Sequence, residues 1–126
     1  METKRIYKPL TPIGYTEAMD ILKMGNLEQQ CLLPMQVGEY WVNAVEAQSI
    51  CLSLLDSDNA RVRAKAVLGL SYIARRHKKL DKRVVKPYLI RELRENEEFR
   101  EEISYYVEDI NLFLGWHIGE KQENRG

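Results

Sequence analysis

Apolar residues along this chain recur at steps of three and four, and the strict alternation of a half-buried strand is missing. The clearest case is 61–76, where Val62, Ala66, Gly69, Leu70 and Ile73 draw a stripe down one side of a predicted helix. Asp58 or Asn59 precedes it as an N-cap, able to accept an orphan backbone N–H. Arg75, Arg76, His77, Lys78 and Lys79 lie at its end, where cations suit the helix dipole.

A second helix is predicted over 42–55, with Val45, Ser49, Leu52 and Leu55 on one side and Ala44, Ala47, Cys51 and Leu54 beside them. Only Asp56–Asn59 separates the two, so they fold back as an antiparallel pair. Downstream the layout repeats. A helix over 82–94 carries Val85, Leu89, Ile90 and Leu93, and one over 97–114 carries Phe99, Ile103, Tyr106, Val107, Ile110 and Leu114. Upstream, a short helix over 16–24 takes Thr16 as N-cap. After Gly25-Asn26, a helix over 27–37 is bent or interrupted at Pro34 and closed by Gly38.

Three helix–break–helix units follow from this, with breaks at Gly25-Asn26, Ser57-Asp58 and Glu95-Asn96, spaced 32 and 38 residues apart. That spacing approaches the ~40-residue period of two-helix solenoid repeats. One hairpin cannot bury its own apolar face, so stacking is what stabilises such units. The chain is therefore expected to be one all-α domain over 1–126: an extended arm (1–15), hairpins over 16–41, 42–79 and 80–116, and a frayed tail (117–126). Ile6, Tyr7, Leu10 and Ile13 are expected to hold the arm.

The middle unit carries a resemblance. Leu54-Leu55-Asp56-Ser57-Asp58-Asn59-Ala60-Arg61-Val62-Arg63-Ala64-Lys65-Ala66-Val67-Leu68-Gly69-Leu70 is similar to a HEAT repeat, with Val62-Arg63 early in its second helix and small or aliphatic core positions beyond. The likeness is strongest over 44–77. It implies a short α-solenoid of about three stacked antiparallel hairpins. It also implies that Arg63 lies on the turn side, pairing with carboxylates or carbonyls of its own and neighbouring turns. The flanking units depart from the pattern, as Phe99-Arg100 stands where Val-Arg is expected. Terminal repeats that cap a stack do depart in this way.

Composition narrows the function classes. The 126 residues are 44% hydrophobic and 30% charged, which suits one packed core and not a disordered chain. No apolar run approaches the ~20 residues of a membrane span, and the start METKRIYK lacks the apolar stretch of a signal peptide. Cys31 and Cys51 sit on stripes without a C-x-x-C spacing, so two buried thiols in a reducing cytoplasm are expected. His77 and His117 fit no metal spacing, and no nucleophile elbow or Gly-rich phosphate loop is present. The expectation is a protein without catalytic residues, metal or cofactor.

Charge is balanced overall, with 19 basic and 19 acidic residues, but it is sorted along the chain. Residues 61–91 hold eleven Lys/Arg against Asp81 alone, and residues 92–109 hold eight Asp/Glu against Arg94 and Arg100. Either neighbouring helices neutralise each other, or each block presents a field to a partner. The glutamates are equally readable as a solvated face, with Glu97 and Glu98 placed to suit a helix N-terminus. Tyr105, Asp109, Leu112 and Trp116 recur at helical steps beside the core stripe, while Tyr72 projects from the basic helix near Lys65, Arg75 and Arg76. Tyr, Trp and Arg are the commonest interface anchors. A different arrangement packs Tyr105 and Trp116 against the arm through Tyr7 and Tyr15.

Two functions follow as expectations. The first is a protein-binding module that recognises one protein partner through Glu98, Glu101, Glu102, Tyr105, Glu108, Asp109 and Trp116, with Tyr72 and Arg76. One concrete form is a bacterial immunity or antitoxin-type inhibitor neutralising a basic toxin. The second is nucleic-acid binding by the basic helices between Arg61 and Lys86, which would give steeply salt-dependent complexes.

Overall fold

The computed structural model describes residues 9–120, and these contain helices and connecting turns without strands. Six helices follow in order: α1 (Tyr15–Met24), α2 (Leu27–Tyr40), α3 (Ala44–Leu54), α4 (Ala60–His77), α5 (Lys82–Glu95) and α6 (Arg100–Leu114). Each consecutive pair α1–α2, α3–α4 and α5–α6 is packed together, and α4 also touches α2 and α6. Thus α4 is the central helix, and it carries the longest run of buried residues, from Val62 to Ala74.

Local chemistry explains the helix boundaries. The Asn26 side chain accepts from Gln29 N at 2.8 Å while Gln29 Oε1 accepts from Asn26 N at 2.9 Å, a reciprocal capping box at the start of α2. Asn43 caps α3 by accepting from Glu46 N, and Asn59 caps α4 by accepting from Arg61 N and Val62 N. The short helix α1 differs from expectation. It begins one residue early, after Gly14, so Thr16 lies inside the first turn and no side chain caps it.

The largest departure concerns α2, which runs through Pro34 and Gly38 to Tyr40 without interruption. The reason lies in packing against α4. A Cβ at Gly69 would stand 2.6 Å from both Pro34 Cβ and its carbonyl oxygen, and one at Gly38 would stand 2.7 Å from Gly69 O. Gly38 is therefore a contact glycine that lets two backbones approach, and the buried Pro34 ring is the surface they approach across. Burial in this crossing compensates for the hydrogen bond that Pro34 cannot donate.

On α3 the buried side is Ala47, Ile50, Cys51 and Leu54, whereas Val45 is 65% exposed and Ser49 also faces solvent. The expected stripe through Val45 and Ser49 is thus rotated off the core. Helix α6 starts three residues later than expected because Asn96 holds the preceding turn. Its side chain donates to Ala60 O and Glu92 Oε1, and its Oδ1 accepts from Phe99 N.

Both flanks of the helices are fastened. Tyr40 OH donates to Leu10 O at 2.6 Å and Trp41 Nε1 to Ile13 O at 2.9 Å, which lays the arm along α2. Ile6 and Tyr7 lie outside the described residues. Of the tail expected to fray over 117–126, residues 121–126 lie outside the described residues, and within 117–120 Ile118 is buried. Asn111 Nδ2 donates to Ile118 O at 2.9 Å, and Ile118 N donates back to Asn111 Oδ1 at 3.0 Å. Gly115 and Gly119 flank this strap with φ of 71° and 75°, the left-handed region that glycine adopts freely.

Candidate protein-binding face

Helix α6 buries Ile103, Val107, Ile110 and Asn111, and the 3.6-residue period therefore turns Glu101, Glu102, Tyr105, Glu108, Asp109 and Leu112 outward. Tyr105 is 58% exposed and Leu112 is 76% exposed. They lie two turns apart on one ridge with Glu101 and Glu108. Among the described residues, none of the four carboxylates on this face has an ion-pair partner. Glu98 is exposed in the turn ahead of the helix. The face is thus apolar and aromatic at its centre, with carboxylates around it.

The other residues expected on a binding surface are placed differently. Trp116 is half-buried on the core, with Lys82 Nζ 5.5 Å above its ring, and so is tied to α5. Tyr15, one of the arm residues expected to meet Tyr105 and Trp116, stacks on Trp41 with ring centroids 6.2 Å apart. Tyr72 is half-buried on α4 beneath the Arg75 guanidinium, 4.9 Å from its ring. Tyr106 lies close by: burial, with the charges of Glu102 and Tyr72 adding to it, pushes its hydroxyl pKa up. Arg76 is exposed, yet its guanidinium donates to Gly38 O at 3.0 Å and Trp41 O at 3.1 Å, closing the carboxyl end of α2.

Arg76 illustrates how the basic block is used. Arg75 pairs with Glu39 at 2.8 Å, Lys78 Nζ donates to Arg75 O, and Arg91 donates to Leu55 O. Arg63 Nη1 donates to Ser57 O at 2.9 Å, and its Nε is 3.2 Å from both oxygens of Glu92. Arg91 donates to the same carboxylate at 2.7 Å and 2.9 Å, and Asn96 completes its shell. Glu92 is 1% exposed. Arg63, Arg75, Arg76, Lys78 and Arg91 are therefore engaged inside the chain, whereas the carboxylates on the outer face of α6 have no ion-pair partner among the described residues.

This buried cluster escaped the reading of the sequence, which treated Glu92 only as one acid in a run. A signal was present: Glu92 falls seven residues after Val85 and three after Leu89, on the apolar stripe itself. A carboxylate in that position needs cationic partners.

Two concave features lie away from this face. A cavity of about 320 Å³ opens over Ser57, Arg63, Arg91 and Glu92, where the carboxylate is already saturated with donors. Another, of about 270 Å³, is lined by Ala44, Val45, Gln48 and Leu80. Among the described residues, no three His, Cys, Asp or Glu side chains gather as metal ligands do. Both cysteines are buried and unpaired, and burial pushes the Cys51 thiol pKa far up, away from the reactive thiolate. Among the described residues, no helix is long and apolar enough to cross a membrane. No family model, curated protein or solved structure matches this chain.

Proposed function

We propose that this chain is a non-enzymatic protein-binding module that takes one basic protein partner on the outer face of α6. The observation that carries the reading is the contrast between the two charge blocks. The basic residues Arg63, Arg75, Arg76 and Arg91 spend their donors on internal carboxylates and carbonyls. The acids Glu101, Glu102, Glu108 and Asp109 remain outward around Tyr105 and Leu112. An aromatic anchor framed by unsatisfied charge is the usual composition of an interface hot spot with a steering rim.

The scaffold proposed for this face is a three-hairpin, HEAT-like solenoid. Packing of α2 and α6 on either side of α4 supports it, as does Arg63 reaching both its own turn at Ser57 and Glu92 of the next hairpin. In its most concrete form the module is a cytoplasmic immunity-type inhibitor that covers a basic toxin. Nucleic-acid binding is the weaker reading, because Arg63, Arg75, Arg76 and Lys78 of the block it would use are engaged within the chain.

The test is affinity capture with the wild type and with a variant carrying E101K, E102K, Y105A and D109K. All four positions face solvent, so the fold is expected to survive. The wild type is expected to retain a basic partner that high salt releases, and the variant to retain none. Equal capture by both proteins overturns the proposal. A gel shift with duplex DNA in low salt is expected to show no complex.

A further inference from the structure

Next to the acidic face of α6 stands a helix of opposite character. On α5, Val85, Leu89 and Glu92 point inward, which turns Arg83, Lys86, Pro87, Ile90 and Arg94 outward. Ile90 is 38% exposed and Val84 is 43% exposed. Arg83 and Lys86 have no ion-pair partner among the described residues. The outer face of α5 is therefore basic with an aliphatic centre, just as that of α6 is acidic with an aromatic and aliphatic centre.

The two helices run antiparallel within the hairpin. Arg100 at the start of α6 donates to Leu93 O and Arg94 O at the end of α5, and Lys82 at the start of α5 lies over Trp116 just past α6. A two-fold axis parallel to these helices sets α5 of one copy across α6 of another, again antiparallel. Such an axis makes every contact twice, as self-complementary interfaces do. Arg83 and Lys86 then fall opposite Glu108 and Leu112, Ile90 opposite Tyr105, and Arg94 opposite Glu101. We propose that the third hairpin is a self-pairing surface, and that a second copy of this chain docks α5 on α6 and α6 on α5.

This goes beyond the partner reading and has a consequence for it. The basic, aliphatic face of α5 in the second copy has the chemistry that the α6 face is proposed to accept. Self-pairing covers the partner face, and a tighter basic partner displaces the second copy.

Sedimentation equilibrium on the full chain tests the pairing with two charge-reversed variants, K86E/R94E and E101K/E108K. In low salt at about 100 µM chain, the wild type is expected to sediment at twice the monomer mass. It is expected to return to the monomer at ~1 M salt, where screening falls to about 3 Å. Each variant alone sets like charges against each other and is expected to be monomeric. Mixed in equal amounts, the two restore opposite charges at both copies of the contact and are expected to form a heterodimer. A monomeric wild type, dimeric variants, or a mixture that does not re-pair each overturns the proposal. Partner capture by wild type and variant still reports on the partner face independently.

Discussion

Arg63 of α4 reaches Glu92 of α5 with its Nε 3.2 Å from both carboxylate oxygens, and this pair links the second hairpin to the third. Arg91 and Asn96 close the remaining acceptor sites of a carboxylate that water barely reaches. Removing it strands two guanidinium groups against a partly buried surface. Glu92→Ala is expected to destabilise by about 3–5 kcal/mol, the usual cost of orphaning a buried pair. Chemical denaturation at neutral pH measures this, and a loss under about 1 kcal/mol would show that the cluster is not a structural link.

The α2–α4 crossing predicts an unusual response to alanine. Elsewhere in a helix, Gly→Ala gains roughly 0.5–1 kcal/mol from backbone entropy. At Gly69 the new methyl would overlap Pro34, so Gly69→Ala is expected to lose about 1–3 kcal/mol instead, as overpacked cores do. Gly14→Ala is the steric control: this N-cap of α1 has nothing within 4 Å of a Cβ, and a change under about 1 kcal/mol is expected there. Thermal melts of the two variants are expected to move apart, and parallel shifts would contradict the close approach.

Asn111 predicts a local effect. Its side chain satisfies both the N–H and the carbonyl of Ile118. Asn111→Ala leaves these groups unpaired and is expected to cost roughly 1–3 kcal/mol. Hydrogen exchange is expected to accelerate at Ile118 before it does so in α4. Unchanged protection at Ile118 would mean that the strap is held by packing alone.

Alkaline pH is expected to weaken the fold. Burial raises the Cys51 thiol above its ordinary pKa, and Tyr88 and Tyr106 are raised mainly by burial as well. Above the ordinary thiol value of ~8.5, the unfolded chain releases a proton that the folded chain retains, so stability falls as pH rises. Urea midpoints are expected to decline from pH 8 to pH 10. At pH 8, iodoacetamide is expected to modify Cys51 only after unfolding. Rapid labelling of Cys51 in the native protein would contradict its burial.

Much of the fold was legible in sequence because helix stripes and caps act over one or two turns. Asn59 and the stripe from Val62 to Ile73 specify α4 without outside help. Where distant contacts decide, the local pattern misled. Pro34 and Gly38 look like helix breakers until Gly69 is placed against them. Val45 and Ser49 share a plausible stripe, yet α4 and α2 select the opposite side of α3. Tyr105, Glu108 and Asp109 were identifiable as outward because the α6 stripe is regular. The occupation of Arg76 and Arg91 by carbonyls 35 and 36 residues away was not, since no spacing rule carries that information.

Hydrogen exchange of the chain in complex with its captured partner tests the binding face most directly. New protection is expected along α6, rising across residues 101–112 and fading in α1 and α3. Protection concentrated instead at the basic end of α4 and the start of α5, with α6 unchanged, would contradict the account.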